Sequence, residues 1–317
     1  MHRSETSNRY YQGLHDVGSL IRALMRGGGK EEHLRLLRTM GVHYKVVKVN
    51  NCRMKIDLRD NIISRYLFVD GVWEPYESQL MSNLLLPGMT VIDVGAHIGY
   101  HSLLAAQAIG TKGRVISFEP SPDNYRLLTE NIQLNGFSEV IHAENAALSD
   151  QRGELELFLS SYNTGDHRIY STLSDDDELF NAGAQRQSVK VAALKLDDYL
   201  DQQHVSHVDL IKIDVQGAEM SVLSGMKQTL LRNPELILFT EFWPHGLRRF
   251  GTEPQDLLSF LVDEIGFSLF HIQPEEHRVV PVTPESFASQ TRDADPVLQI
   301  DLLCCASPSP ALLERIS

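Results

Sequence analysis

From residue 88 onward the chain alternates apolar runs of strand length with amphipathic runs of helix length. That rhythm leaves few folds open. Strand-like segments fall at 90–95, 114–119, 140–146, 208–215, 235–242, 267–272 and 296–305, and helical ones at 98–109, 122–135, 218–231 and 254–264. Strands separated by helices need crossovers, so a mostly parallel sheet with helices on both faces is expected. No convincing helix separates the last two strand candidates, which predicts an antiparallel hairpin at one edge. With 317 residues the chain can bury roughly three quarters of its unfolded surface, so a large core is expected.

Ahead of this pattern, residues 1–85 read as an extension. LHDVGSLIRALM and EEHLRLLRTM have helical spacing, broken by GGGK, and suggest a lid or an element that pairs two copies into a homodimer. YKVVKV (44–49) and RMKIDLRD (53–60) are strand-like, and WEPYESQLMSNLLL is a helix led in by Pro75. Residues 86–306 read as one α/β domain, interrupted at 150–190 by an insertion, and 307–317 as a tail. Within the insertion GELELFLS alternates like an exposed strand. A long polar loop follows, with SDDDE (174–178) as a solvated tip.

Formal charge is −13, from 29 Lys and Arg against 42 Asp and Glu, and no long basic run is present. Nucleic-acid affinity depends on Lys and Arg neutralising phosphates, so a nucleic-acid partner is not expected. No apolar stretch approaches the roughly 20 residues of a membrane span, and MHRSETSNRYYQG lacks the apolar core of a secretory signal. Cys52, Cys304 and Cys305 form neither a disulfide framework nor a metal-knuckle spacing, which points to a reducing, cytoplasmic setting.

The turn after the first strand, Asp93-Val94-Gly95-Ala96-His97-Ile98-Gly99, indicates the ligand. A dinucleotide fingerprint aligned on Gly95 needs Gly at 97 and 100, where this chain has His97 and Tyr100. A pyrophosphate is therefore unexpected, and no G-x-x-x-x-G-K-[ST] run exists to make a P-loop. The spacing suits a ligand without phosphate, such as S-adenosylmethionine. Asp93 is read either as taking up its ammonium group or as ordering the loop, and Gly95 as letting the backbone pass close to it. Glu119, at the end of the next strand in VISFEPSP, can accept hydrogen bonds from both ribose hydroxyls. It could instead cap the following helix, but Ser121 is better placed for that.

TVIDVGAHIGYHS, RVISFEPSPDNYRLLTENIQLNG, NAALSD, KLDDYL and VDLIKIDVQGAEMSVLSGM together resemble the FkbM family of S-adenosylmethionine-dependent methyltransferases. The resemblance begins near GVWEPYES and runs to about residue 275. It implies a Rossmann-like class I methyltransferase fold: a seven-stranded, mostly parallel α/β sheet with an antiparallel edge strand. It further implies S-adenosylmethionine as donor and O-methylation of a hydroxyl on a natural product or sugar, as in secondary-metabolite biosynthesis. By the same resemblance Asp93, Gly95, Ala96, Gly99, Glu119 and Pro120 match the donor-binding motifs, and Asn145, Ala146 and Ala147 the segment lining the adenine. Two positions depart from the family: 97 is more often Asn, and 216 more often Glu where this chain has Gln216.

An alcohol is a weak nucleophile, so a base or a metal is expected near the methyl donor. Asp214 ends the fourth strand, where it could bind the donor's amino group, orient the acceptor or act as base; a purely helix-capping role is the alternative. Lys212 lies on the same face two residues back and is read either as part of that chemistry or as an ion pair with a nearby carboxylate, and Glu219 is read as a helix-dipole residue. Past the fifth strand, His245 is the expected base, with Glu241 or Asp214 beside it. Asp214, Glu241 and His245 suit Mg²⁺ or Mn²⁺ in ligand type, but no metal-binding motif accompanies them. The His97/His101 spacing is read as coincidence. Asn163, Thr164, Gly165, Asp166 and His167 are placed over the donor.

The expected acceptor is a hydroxylated small molecule, with a protein or lipid as alternative. An N/D-P-P-aromatic run, needed by nucleic-acid amino-methyltransferases, is absent, and no Cys stands near a motif. An NAD-dependent oxidoreductase remains as a second class, and a binding module without chemistry as a third.

Overall fold

The computed structural model describes residues 29–169, 186–291, 296, 298–306, 308 and 310–316. LHDVGSLIRALM and SDDDE lie outside the described residues. The chain opens with α1 (Lys30–Thr39), the hairpin β1 (Tyr44–Val49) and β2 (Cys52–Asp57), and helices α2 (Ile63–Val69) and α3 (Pro75–Leu84). The alternating part follows as β3 (Thr90–Val94), α4 (Tyr100–Ile109), β4 (Arg114–Phe118), α5 (Pro122–Leu134) and β5 (Ile141–Glu144). Next come the short β6 (Ala147–Leu148), β7 (Gly153–Leu159), β8 (Gln187–Leu194) and α6 (Leu196–Gln202). The sheet resumes with β9 (Leu210–Ile213), helices α7 (Glu219–Gly225) and α8 (Lys227–Arg232), and β10 (Ile237–Phe242). Helices α9 (Pro244–Arg249) and α10 (Pro254–Ser259), β11 (Ser268–Gln273), β12 (Arg278–Val282), α11 (Pro284–Thr291), β13 (Ile300–Cys305) and α12 (Pro310–Ile316) complete it.

The main sheet runs β12-β11-β13-β10-β9-β3-β4-β5. The five strands from β5 to β10 are parallel, and β13 enters antiparallel between β10 and β11. All seven expected strands are present. The last two, β11 and β13, pair antiparallel but not as the expected edge hairpin: β12 and α11 lie between them in the chain, and β13 lies inside the sheet. Strand β12 adds an eighth at the edge. It carries Pro281, which an edge strand tolerates because one side of its backbone needs no donor. Strands β9 and β10 are buried along their whole length, and β3 beyond Thr90, as sheets covered on both faces require. No helix among the described residues is long and apolar enough to cross a membrane.

Alternation along the strands sorts the core into two layers. Ile92, Val94, Ile211, Ile213 and Leu238 face the layer shared with α6, α7, α8 and α10. Val91, Leu210, Phe239 and Leu303 face the opposite layer, which they share with Leu34, the β1–β2 hairpin and helices α2 to α5. By the same alternation Asp93, Lys212, Asp214, Glu241 and Asp301 fall on this second face, under α3 and α4. Register puts Asp93 beside Lys212 and Ser117, and Glu241 beside Asp301.

The expected insertion is more structured than its polar composition suggests. Strands β6, β8 and β7 form a three-stranded sheet, with β7 antiparallel to β8 along seven residue pairs. Beyond β7 the chain turns back so that Phe158 and Arg168 exchange backbone hydrogen bonds of 2.7 and 3.1 Å. The loop inside that bridge is held by its own side chains, with Ser160 N donating to His167 Nδ1 and Gly165 N to Asn163 Oδ1.

Candidate functional site

At the carboxyl ends of β3, β4 and β9 the loops part around a cleft, where open α/β sheets take their ligands. The β3 turn contributes Val94, Gly95 and His97. Apolar side chains of the lining include Pro120, Ala146, Ala147, Leu148, Leu157 and Ile169. The segment after β9 adds Asp214, Val215, Gln216 and Ala218.

The β3 turn is shaped by its neighbours as much as by a ligand. Gly95 sits at φ +81°, and a Cβ there would lie 1.9 Å from the Asp214 carbonyl oxygen. The close backbone approach expected of Gly95 is thus made to the end of β9, which joins the two halves of the cleft. His97 is also left-handed, at φ 50°. Among side-chain residues, Asn and Asp best tolerate that region and His is also enriched in it, which rationalises His where Asn is more common. Its N–H donates to Glu119 Oε2 (2.8 Å), and its ring Nε2 meets Thr164 Oγ1 (2.8 Å).

Glu119 is 4% exposed, and its other oxygen accepts from Ser121 N at 2.8 Å. Burial pushes this carboxyl up to about 7, against the lowering effect of the two amides. A carboxylate has about four acceptor positions; the amides of His97 and Ser121 and the Asn124 side chain draw on them, which leaves capacity for a ribose hydroxyl. Ser121 fills the N-cap of α5, accepting from Asn124 N, as its position suggested.

The loop expected over the donor lies there. Thr164, Gly165 and His167 line the cleft. Asn124 Nδ2 donates to the Thr164 carbonyl (2.9 Å), and Thr164 N to Asp60 Oδ1 (3.3 Å). Asp166 binds Arg168 and Arg186, all three buried or nearly so, behind the lining.

Several residues expected at the donor stand one layer back. Asp93 Oδ2 accepts from Ser102 Oγ (2.5 Å), which also meets Ser117 Oγ (2.8 Å). Of its two readings, this contact matches loop ordering. Ala96 and Gly99 hold the turn, Ala96 N donating to the Phe118 carbonyl and Gly99 N to that of Ala96. Asn145 is exposed and braces the β4 loop through the carbonyls of Glu119 and Pro120.

Of the four residues expected to carry chemistry, Asp214 lines the cleft. Its Oδ2 lies 3.4 Å from Lys212 Nζ, and its Oδ1 accepts from Gln216 Nε2 at 2.9 Å. The same Gln216 nitrogen reaches both oxygens of Glu241 at 3.2 and 3.3 Å, and Gln299 donates to Gln216 Oε1 (3.1 Å). Glu241 is buried below this bridge. Desolvation, reinforced by Asp214, Glu219 and Asp301, raises its carboxyl well above the usual range. Burial alone would lower the ammonium of Lys212. The surrounding Asp214, Glu77, Glu74 and Asp93 carboxylates raise it well above its ordinary value. His245 begins α9 with its ring 5.8 Å from that of Trp243, and it is not part of the cleft lining. The neighbour joining Asp214 to Glu241 is Gln216. Glu219 turns its Oε1 back to the amides of Gly217 (3.1 Å) and Val215 (3.3 Å), closing the loop at the start of its own helix.

The cleft lining contains two carboxylates, Glu119 and Asp214, and among the described residues no Lys or Arg. Such a lining offers a pyrophosphate no side-chain cation and leaves room for an apolar base. These features suit a nucleoside-binding protein of the doubly wound class. The chain belongs to the FkbM methyltransferase family: residues 93–269 match the methyltransferase FkbM domain. It is 26% identical to methyltransferase sdnD of Sordaria araneosa over 56% of this chain and 73% of that one. It is 27% identical to 2-O-methyltransferase NoeI of Sinorhizobium fredii over 55% of this chain and 74% of that one. Hexuronic acid methyltransferase AglP of Haloferax volcanii is 27% identical over 53% of this chain and 59% of its own length. The protein is an S-adenosylmethionine-dependent methyltransferase.

Proposed function

We propose that the protein methylates a hydroxyl of a small molecule, a sugar or sugar-bearing natural product, with Asp214 as the group that takes the hydroxyl proton. The observation that carries this is the presence of the Asp214 carboxylate in the cleft lining, held by Lys212 and Gln216. When bound, S-adenosylmethionine supplies an electrophilic methyl on a sulfonium. Glu119 is assigned the ribose diol, and Pro120, Ala146 and Ala147 the adenine face. The backbone of Gly95 and the end of β9 then border the methionine end. Asp214 accepts the proton as the acceptor oxygen forms its bond to carbon, and the thioether leaves neutral. Holding the reacting atoms in line supplies much of the rate. Relatives named for 2-O-methylation and for hexuronic acid methylation support an oxygen acceptor on a sugar.

The test combines labelled methyl transfer to a panel of sugars and hydroxylated natural products with mass location of the methyl. Methylation on oxygen is expected. Methyl found only on nitrogen or on protein overturns the acceptor reading. In Asp214→Asn, turnover should fall about 100-fold with donor affinity kept. Loss of donor affinity instead would make Asp214 a ligand of the donor ammonium.

A further inference from the structure

Helices α3 and α4 close over the second face of the sheet with charged side chains where apolar ones would be expected. Glu77 comes from the first turn of α3, Glu74 from its N-cap and His101 from the first turn of α4. Glu77 and His101 are 4% and 8% exposed, while Glu74 is partly open to solvent. One ligand atom from each of the three lies within 4.8 Å of the other two. Oε2 of Glu74, Oε2 of Glu77 and Nε2 of His101 are all buried atoms with no hydrogen-bond partner. Buried polar atoms are rarely left so. Three orphaned atoms in one pocket therefore point to a missing common partner.

Distance and charge indicate what that partner is. His101 Nε2 and Glu74 Oε2 stand 3.9 Å apart, beyond the roughly 3.2 Å of a hydrogen bond. Two bonds of about 2.1 Å to a cation span up to about 4.2 Å, so the gap suits an ion between them. Among the described residues Lys212 is the cation recorded against Glu74, Glu77, Asp93, Asp214, Asp301 and Glu241. Burial and mutual repulsion raise the carboxyls of Glu74, Glu77, Asp93, Glu241 and Asp301, so a bound cation would take the place of protons held there. Glu74 also adopts a left-handed φ of 42° directly before Pro75, a position that favours extended backbone. Backbone held so far from its preference is a mark of functional sites.

We propose that Glu74, Glu77 and His101 form a binding site for one first-row divalent cation, of the Zn²⁺ or Mn²⁺ type. An imidazole with two carboxylates selects such ions over Mg²⁺ and Ca²⁺, which take oxygen ligands. Three protein ligands leave a coordination position open, on the side where Glu74 reaches solvent. Lys212 Nζ lies 4.0 Å from Glu77 Oε1 and 3.4 Å from Asp214 Oδ2, so the site adjoins the donor cleft through one side chain. The inference does not depend on the acceptor assigned above.

The experiment uses the full chain without an affinity tag, stripped with a chelator and titrated with Zn²⁺, Mn²⁺ and Mg²⁺ by calorimetry. Co²⁺ replaces Zn²⁺ in a parallel titration followed by visible absorption. One Zn²⁺ or Mn²⁺ per chain is expected, bound at least tenfold more tightly than Mg²⁺. His101→Ala and Glu77→Gln should each weaken binding tenfold or more. Glu74→Gln serves as a milder variant, because its side chain reaches the surface. The Co²⁺ spectrum should lose its imidazole-dependent bands in His101→Ala. Absence of stoichiometric binding by the wild-type chain overturns the site, as does unchanged binding in folded His101→Ala and Glu74→Gln.

Discussion

The backbone N–H of His97 donates to Oε2 of Glu119 over 2.8 Å, so the β3 turn itself orients the carboxylate assigned to the donor ribose. The carboxyl lies near 7 because burial disfavours its charged form. Protonation removes acceptor capacity, so donor affinity should rise with pH through about 7 and approach a plateau above it. Stability runs the other way. With the folded value raised above the ordinary one, the native state binds the extra proton between about 4.5 and 7. This group's contribution is present at low pH and is lost as pH climbs through that window. Calorimetric titration of the donor from pH 5.5 to 8 checks the first trend. Glu119→Gln should flatten it while weakening binding at pH 8.

His97 combines a left-handed backbone with a tie to Thr164, and substitutions separate the two. His97→Asn keeps the backbone preference, so stability should change by less than about 1 kcal/mol. His97→Val places a β-branched residue at positive φ and should destabilise by about 1–3 kcal/mol. Both remove the ring that holds the 160–167 loop, so both should weaken donor binding severalfold. Urea unfolding gives the stability comparison, and donor titration gives the binding one.

Gln216 donates to Asp214 and Glu241 from one nitrogen. In Gln216→Glu a third carboxylate meets those two, and one of the three has to take a proton. The variant should match the wild type most closely in acid and lose about 1–3 kcal/mol more as pH rises through the raised value of that cluster. Denaturation midpoints at pH 5.5 and 8.5 check this. An equal loss at both pH values would show that charge is not the cause.

Gly95→Ala should be the most damaging single change at the cleft. The added methyl meets the backbone carbonyl of Asp214 at 1.9 Å, at a φ that disfavours side chains. A loss of about 3 kcal/mol or more is expected, read from thermal unfolding together with soluble yield.

The strands and the donor turn were readable because their signals are local. β3, β9 and β10 are short apolar runs, and Asp93, Glu119 and Ser121 follow directly from strand ends and turns. Strand β8 was hidden because QSVKVAAL follows a long polar stretch, and its pairing with β6 and β7 is set by distant chain. Helix α6 is seven residues long, too short for a clear period, and β12 contains Pro281, which reads as a breaker until its edge position is known. The triad of Glu74, Glu77 and His101 has no spacing signature. Its members come from two helices, and only their packing on one sheet face brings them together. Lys212 was legible as a member of the β9 face, but the carboxylates of α3 that surround it were not. Gln216 was visible as a departure from the family, yet its role as a bridge depends on Glu241, 25 positions further on.

The pairing of Lys212 with Glu77 has a practical side. An ion pair joins the fourth parallel strand to a helix that precedes the family-matched segment, and β1, β2, α2 and α3 share their apolar layer with that strand's neighbours. Grafting residues 93–269 into a hybrid enzyme would expose that layer and strip the buried Lys212 ammonium of Glu74, Glu77 and Asp301. A transplant that is to keep its activity therefore has to carry everything from Lys30 onward.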